Sequence, residues 1–468
     1  MTAAPPQQLV VELRGTGTPG EVARRLLHLP HLAVLDSADT STSRGRYSTV
    51  TADPLLWRDG RVDDTDCDDP FALAATWLEG SRTATIPGLP PFQGGVVGLF
   101  GYGLNRAVEA IPASRFDEFA APDYALGLYD WVVSFDHHER RAWLVVNGHG
   151  LGPRDPADRL RQVQGWLAAP PRPLPRVTTL SPLTGLAAQF PLPRFPGVTS
   201  TFARPSYLAA VRRAVEYVHA GDCFQVNLSQ RLLTPLAEHP FALFERLCER
   251  NPAPFAAYFD AGDFQVVSAS PERFLEVSPA GEVVTRPIKG TRPRGKTPAE
   301  DAELARDLAT SAKDRAENVM IVDLLRNDLG RVCEFGSVAV PRVCEVESFA
   351  SVQHLVSEVR GQLRPGLTAL DALRAAFPGG SVTGAPKVRA MEVIAELEPT
   401  ARGPYCGGFG FVGFDGAADT SILIRTLTAG RGYLQFPVGG GITSDSDPAA
   451  EYEETLHKAA GLLRALTP

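Results

Sequence analysis

Gly408-Phe-Gly-Phe-Val-Gly-Phe-Asp-Gly-Ala-Ala-Asp-Thr-Ser-Ile-Leu-Ile-Arg425 holds a G-x-G-x-x-G spacing, and the residues after its third glycine decide the fold class. A dinucleotide fingerprint needs a helix to open there, with its free N–H groups on a pyrophosphate. This chain enters a turn at Phe414-Asp-Gly416 and then a second apolar run, so the stretch reads as strand, turn, strand. NAD binding is not expected on that ground.

Working outward, residues 264–268, 274–277 and 283–286 read as successive strands joined by short turns, and 224–233 as another. Residues 207–220 have helical spacing and stop at Gly221. One long helix is expected from about 298 to 325, with Leu304, Leu308, Ala312, Ala316 and Val319 on one face. A last helix opens at Asp447-Pro448, an acidic N-cap followed by proline at the first helical position. Nearer the start, 124–135 and 142–146 flank Asp136-His-His-Glu-Arg-Arg141 as a hairpin. The glycine-dense stretch from Phe92 to Gly103 predicts close backbone packing. Prolines at 171, 173, 175, 182, 191, 193 and 196 mark a semi-rigid connection. They divide the chain into 1–168, a proline-rich link over 169–204, and 205–468. The class expected is α+β, with antiparallel sheets covered by helices.

Of the 468 residues, 44% are hydrophobic and 21% charged, which supports a sizeable core and rules out disorder over most of the length. A net charge of −8 offers no field for nucleic acid. No apolar run reaches membrane-spanning length, and the first residues lack the basic-then-apolar pattern of a leader. Cys67, Cys223, Cys248, Cys333, Cys344 and Cys406 are scattered without a Cys-x-x-Cys pair. Structural zinc and a disulfide framework are not expected; a reducing cytoplasm is.

Gly379-Gly-Ser-Val-Thr-Gly384 has the glycine spacing of a phosphate loop, yet Ala385-Pro386-Lys387 stands where such a loop needs Lys-Ser/Thr. Backbone N–H groups there, at the start of a helix, would suit a carboxylate; the loop equally fits plain packing. Asp314 and Glu317 lie three apart on the long helix, while Glu451, Glu454 and Lys458 line up on the last. Each set alone fits a solvated face. Together, four carboxylates on two helices fit a hard divalent ion that keeps some of its waters. Lys289 follows a strand and has Gly290 behind it. A lysine there can be surface charge, or in a pocket its lowered pKa makes it a nucleophile or base. Glu272, in Ser270-Pro-Glu-Arg273, is a candidate general acid or base beside it.

Taken together, Ser270-Pro-Glu-Arg273, Pro287-Ile-Lys-Gly-Thr291, Asp314-Arg-Ala-Glu-Asn318, Asp323-Leu-Leu-Arg-Asn-Asp-Leu329, Gly380-Ser-Val-Thr-Gly-Ala-Pro-Lys387, Gly439-Gly-Gly-Ile442 and Glu451-Tyr-Glu-Glu454 resemble the chorismate-utilising enzymes. The match runs in family order over about residues 205–463, and residues 1–168 resemble the first domain of the anthranilate- and aminodeoxychorismate-forming branch. The resemblance implies two antiparallel sheets packed as a sandwich with helices outside, the two halves of the chain intertwined. It implies Mg²⁺ as cofactor, with Glu317 and Glu454 as direct ligands and Asp314 and Glu451 acting through water. Lys289 and Glu272 would be catalytic. Gln225, Thr291, His354, Thr383, Gly384, Tyr405, Arg425, Gly439, Gly441 and Lys458 would bind the substrate, chorismate.

Gln225 stands where water-adding members carry a lysine, which implies an ammonia-using branch. Lys289 stands where anthranilate-forming members carry alanine, which implies amination at C4, on the route to 4-aminobenzoate and folate. No Gly-x-Cys-x-Gly nucleophile segment is present, so ammonia would come from a separate glutamine amidotransferase subunit. The alternatives are anthranilate formation, or a non-catalytic relative that binds chorismate or tryptophan. Asp36 and Ser37, in Leu35-Asp-Ser37, are a candidate tryptophan site.

Overall fold

Gly408–Gly413 pairs antiparallel with Ala418–Ile422 across the Phe414-Asp-Gly416 turn, as its sequence dictates. The computed structural model describes residues 7–38, 45–65, 67–148, 155–175, 177, 185–349 and 352–467. Around that hairpin a sheet is ordered Ile288–Pro293, Val352–Gln362, Glu282–Thr285, Arg273–Val277, Ala418–Ile422, Gly408–Gly413, Gly95–Phe100, Tyr124–Tyr129, Leu56–Gly60. Ala339–Ser348 adds to it beside Val352–Gln362. The second sheet runs from Gln7–Leu13 through Arg141–Gly148, Trp131–Asp136, Tyr47–Thr51 and Ala33–Asp36 to Phe255–Asp260. It continues through Phe264–Ser270, Thr426–Gly430, Tyr433–Ile442, Gln225–Pro235 and Thr199–Ser200 to Phe190–Pro191. Both sheets draw strands from the first 168 residues and from beyond residue 205.

Side-chain alternation along each strand sorts the core into layers. Val97, Leu99, Tyr129, Phe259, Val266 and Phe409 meet between the sheets. Val96 and Phe100, on the opposite face, pack with Ile321, Leu373 and other helical residues. On the outer face of the other sheet, Leu228, Phe436 and Val438 pack with Tyr207, Phe244 and Leu463. The glycine-dense stretch is a central strand whose backbone presses on its neighbour. At Gly95 (φ +142°) a Cβ would stand 2.2 Å from the Val412 carbonyl.

Two expected elements are each divided in the structure. The long helix is a pair, Pro298–Thr310 and Ala312–Gly330. Ser311 takes an extended conformation between them, and its hydroxyl accepts from Asp314 N at 3.3 Å, so it ends one helix and caps the next. The single apolar face therefore breaks: Leu308 is fully buried, while Val319 is 42% exposed. Residues 124–135 become Tyr124–Tyr129 in one sheet and Trp131–Asp136 in the other. The switch occurs at buried Asp130, whose carboxylate bonds buried Arg159 at 3.2 Å, so a polar group is tolerated at the crossing. The expected hairpin then forms between Trp131–Asp136 and Arg141–Gly148. Among the described residues no helix is long and apolar enough to cross a membrane.

Candidate active site

Glu272 sits at the corner where strand Phe264–Ser270 ends and Arg273–Val277 begins. Ser270 Oγ donates to Ile422 O at 2.6 Å, and Ile422 N donates to Glu272 O at 3.1 Å, which ties this corner to the 418–422 strand. The carboxyl is 5% exposed, and burial pushes its pKa above the usual carboxylate range, against the opposing pull of the Ser381 hydroxyl and the charge of Lys289. Lys289 enters from strand Ile288–Pro293, and its Nζ donates to the Ser381 carbonyl at 3.2 Å. Burial lowers its pKa, while Glu317 and Glu272 pull it back upward. Ser381 therefore bonds Lys289 through its carbonyl, while its hydroxyl acts on the Glu272 charge without a closed hydrogen bond. The sequence motif contained it, but only the folded loop Gly380–Val382 points it here.

The acidic pairs of helices Ala312–Gly330 and Pro448–Leu466 come into one electrostatic neighbourhood. Glu317 responds to Asp314 and Glu454, and Glu451 responds to Glu454. Strand Tyr433–Ile442 faces them through Gly440, where a Cβ would stand 3.2 Å from Glu451 Oε2 and 3.5 Å from Glu454 Oε1. Gly440 was not singled out from sequence; its place between Gly439 and Gly441, alternating in a strand, is the signal that marks it. Among the described residues the carboxylates are not drawn together around a common ion position. Local partners hold them: Lys458 Nζ lies 2.6 Å from Glu454, Ser446 Oγ donates to Glu451 at 2.7 Å, and Arg292 Nη2 donates to Asp314 at 3.1 Å. Burial pushes the Glu317 and Glu451 carboxyls up, so their charge is under-compensated. For Glu454 burial also acts upward, but the charge and hydrogen bond of Lys458 bring the net shift downward. An all-oxygen donor set with spare negative charge fits a hard divalent ion such as Mg²⁺.

The remaining sequence-derived residues mostly gather around these two groups. Lys458 Nζ also donates to Gly439 O at 2.9 Å. Arg425 hydrogen-bonds the Lys458 carbonyl; burial lowers its pKa, while Tyr405 and Glu454 act the other way. Thr291 Oγ1 lies 2.9 Å from His354 Nδ1 across neighbouring strands. Thr383 is buried, with Oγ1 donating to Gly379 O at 3.1 Å. At Gly384 (φ +139°) a Cβ would collide with the Gln225 carbonyl at 2.1 Å, and at Gly441 one would meet Gln225 Nε2 at 2.5 Å. Asp36 and Ser37 lie apart from this group, at the end of strand Ala33–Asp36. There Asp36 accepts from Ser48 Oγ at 2.7 Å, and Ser37 Oγ donates to Tyr47 O at 2.7 Å.

The family model described as chorismate binding enzyme matches residues 46–464. The chain belongs to the chorismate binding enzyme family. It is 42% identical over 450 residues to aminodeoxychorismate synthase component 1 of Salmonella typhimurium, covering 94% of each chain. It is 46% identical over 380 residues to anthranilate synthase component 1 of Thermus thermophilus, covering 81% of this chain and 79% of the relative. Anthranilate synthase component I from Streptococcus pneumoniae superposes with a TM-score of 0.76 at 32% identity, over 90% of this chain and 92% of that one. The sandwich of two antiparallel sheets with outer helices is thus the architecture of chorismate-binding enzymes, and this chain is an enzyme of that family.

Proposed function

We propose that this chorismate-binding enzyme is component I of aminodeoxychorismate synthase, aminating chorismate at C4 with ammonia made by a separate glutamine amidotransferase. One observation carries the reading: a buried amine lowered in pKa, Lys289, bonded to the Ser381 carbonyl, stands close enough to a buried carboxyl raised in pKa, Glu272, for each to act on the other's charge. Those shifts favour a neutral nucleophile beside a protonated acid, the two forms a displacement of hydroxide needs. Relatives that share the reading match 94% of the chain.

In this mechanism Lys289 Nζ forms a bond to ring C2, the ring π pair shifts, and the C4–O bond breaks. Glu272 gives its proton to the departing hydroxyl, which leaves as water. Ammonia then bonds to C4, the pair shifts back, and the C2–N bond returns its electrons to Lys289. The new ammonium passes a proton to Glu272, so both side chains end as they began. With Lys289 on C2, the open position for ammonia is C4. Arg425 and Tyr405 orient the enolpyruvyl carboxylate, with backbone N–H groups at Gly439 and Gly441. His354, Thr291, Thr383, Gly384 and Lys458 line the ring side. Glu317 and Glu454, with Asp314 and Glu451 behind them, would hold Mg²⁺, whose chemistry there is to neutralise the ring carboxylate. The product enters 4-aminobenzoate and folate synthesis, and the six free thiols suit a reducing cytoplasm. Asp36 and Ser37 would lie at a tryptophan site away from the reaction.

The test is product identity. Purified protein with chorismate, Mg²⁺ and ammonium at alkaline pH should yield a non-aromatic amine, seen by mass detection, that an added lyase converts to 4-aminobenzoate. Anthranilate plus pyruvate would overturn the reading.

A further inference from the structure

Ser381 lies in the Gly380–Val382 turn, which is clamped from three sides. At Gly379 a Cβ would stand 2.9 Å from Ile422 Cδ1 and 3.5 Å from Phe274 Cε2. The turn therefore rests on the residues that hold the Glu272 corner. At Gly380 a Cβ would stand 2.6 Å from Leu324 Cδ2, on helix Ala312–Gly330. The Val382 carbonyl takes Arg402 Nη1 at 3.0 Å, and Thr383 Oγ1 donates back to Gly379 O at 3.1 Å. Arg402 is buried and held in turn by Glu398, through Nε at 2.9 Å and Nη2 at 2.7 Å. The dipoles of this turn are fixed before substrate arrives.

Two of those dipoles belong to one residue and act on the two reacting groups. The Ser381 carbonyl accepts from Lys289 Nζ at 3.2 Å. The Ser381 hydroxyl acts on the Glu272 carboxyl, yet it is buried and closes no hydrogen bond. Buried hydroxyls are rarely left open without a function. Before the reaction Glu272 is a protonated acid and Lys289 a neutral amine, so neither needs a strong partner. When Nζ bonds to C2 and the C4–O bond breaks, the amine becomes a cation. Glu272, having given its proton to the departing hydroxyl, becomes an anion. Besides Ser381, the Ile288 N–H and the charge of Lys289 are what offset burial of that carboxylate among the described residues.

We infer that Ser381 is a positioning residue for this charge separation: its carbonyl steadies the cation forming on Lys289, and its hydroxyl turns to donate to the anion forming on Glu272. The inference rests on the amination reading above. Both interactions strengthen only as charge develops, so they favour the transition state over the bound substrate. No bond to Ser381 forms or breaks, and its proton stays on Oγ throughout.

The test is Ser381→Ala, which removes the hydroxyl and keeps the carbonyl, with Ser381→Thr as the conservative variant. Product mass follows kcat across pH, and calorimetry gives the chorismate–Mg²⁺ affinity, which also reports a folded pocket. In Ser381→Ala kcat should fall about 10- to 100-fold, with chorismate affinity within about twofold of the parent's. Its basic limb should move to higher pH, because Glu272 loses a group that favours its charged form. The other titratable groups facing Glu272 are Lys289, whose lowered pKa governs the acid limb, and buried Cys406, whose thiol is pushed up to about 12. Ser381→Thr should recover most of the lost rate and return the basic limb to its place. A kcat within about twofold of the parent's in Ser381→Ala, or a basic limb that does not move, overturns the role. So does a loss of chorismate affinity as large as the loss in kcat, which would assign the hydroxyl to substrate binding. Anthranilate from the parent protein would instead overturn the C4 reading on which the role rests, a result read before any variant is made.

Discussion

Lys289 and Lys387 are both sunk in the fold, and burial pushes both ammonium groups toward neutrality. Their partners separate them. Lys387 Nζ lies 2.7 Å from Asp328 Oδ2 and 2.8 Å from Ala376 O, tying helix Ala312–Gly330 to the start of Lys387–Leu397. Lys289 has the Ser381 carbonyl at 3.2 Å and, among the described residues, no carboxylate within ion-pair reach. Glu317 and Glu272 act on it only through space. A closed pair resists protonation change and serves as a strut. An amine left half-satisfied is ready to form another bond. The difference between structure and chemistry here lies in what surrounds each lysine, since the residue type is the same.

The largest expected effect is on rate. Lys289→Ala and Glu272→Gln should each slow C4 amination by about 10²–10⁴-fold, followed by product mass, with some anthranilate in the lysine variant. Full retention of rate and product in Lys289→Ala would erase the contrast with Lys387. Stability should respond the other way. Lys387→Ala strands Asp328 and should cost about 3–5 kcal/mol in denaturant unfolding, whereas Lys289→Ala should cost little or nothing. Equal losses in both would make Lys289 a strut as well.

The pH profile should be bell-shaped. Activity should fall as acid protonates Lys289, whose pKa is lowered, and fall again as base removes the Glu272 proton, whose pKa is raised. An acid limb that persists in Lys289→Ala would belong to another group. The smallest effect concerns the acidic cluster. Glu317 and Glu451 have raised pKa values, so their contribution to stability is full below about pH 4.5 and is lost as pH rises through the folded values. At neutral pH, without metal, Glu317→Gln or Glu451→Gln should raise Tm by a few °C while weakening the stabilisation that added Mg²⁺ gives. A lower Tm would show the carboxylates to be structural.

Strand and helix types were legible because they depend on local period and on caps. Asp447 with Pro448 starts the last helix, its side chain accepting from Ala450 N at 2.8 Å, and the turn at Phe414-Asp-Gly416 makes a hairpin. Local period could not reveal Ser311, whose extended conformation splits one helix into two, nor Asp130, which carries the chain from sheet to sheet. Both breaks depend on partners distant in sequence or on a single backbone rotation. Candidate site residues were legible as short motifs. Ser381 and Gly440 were missed as actors, although both lay inside quoted motifs, because their importance lies in what they touch.

By itself the sequence determined the residue types available for chemistry, the α+β class and the family, since these follow from side-chain chemistry and periods of 2 and 3.6 residues. Only the tertiary structure decided which lysine is free and which is paired, and that carboxylates 137 residues apart, Glu317 and Glu454, feel one another. It also decided that the side-chain amides of Gln225 and Asn227, on one strand, are buried with atoms left unpaired. The physical reason is that charge, desolvation and hydrogen-bond satisfaction are properties of neighbours in space, and a sheet that interleaves both halves of the chain chooses those neighbours.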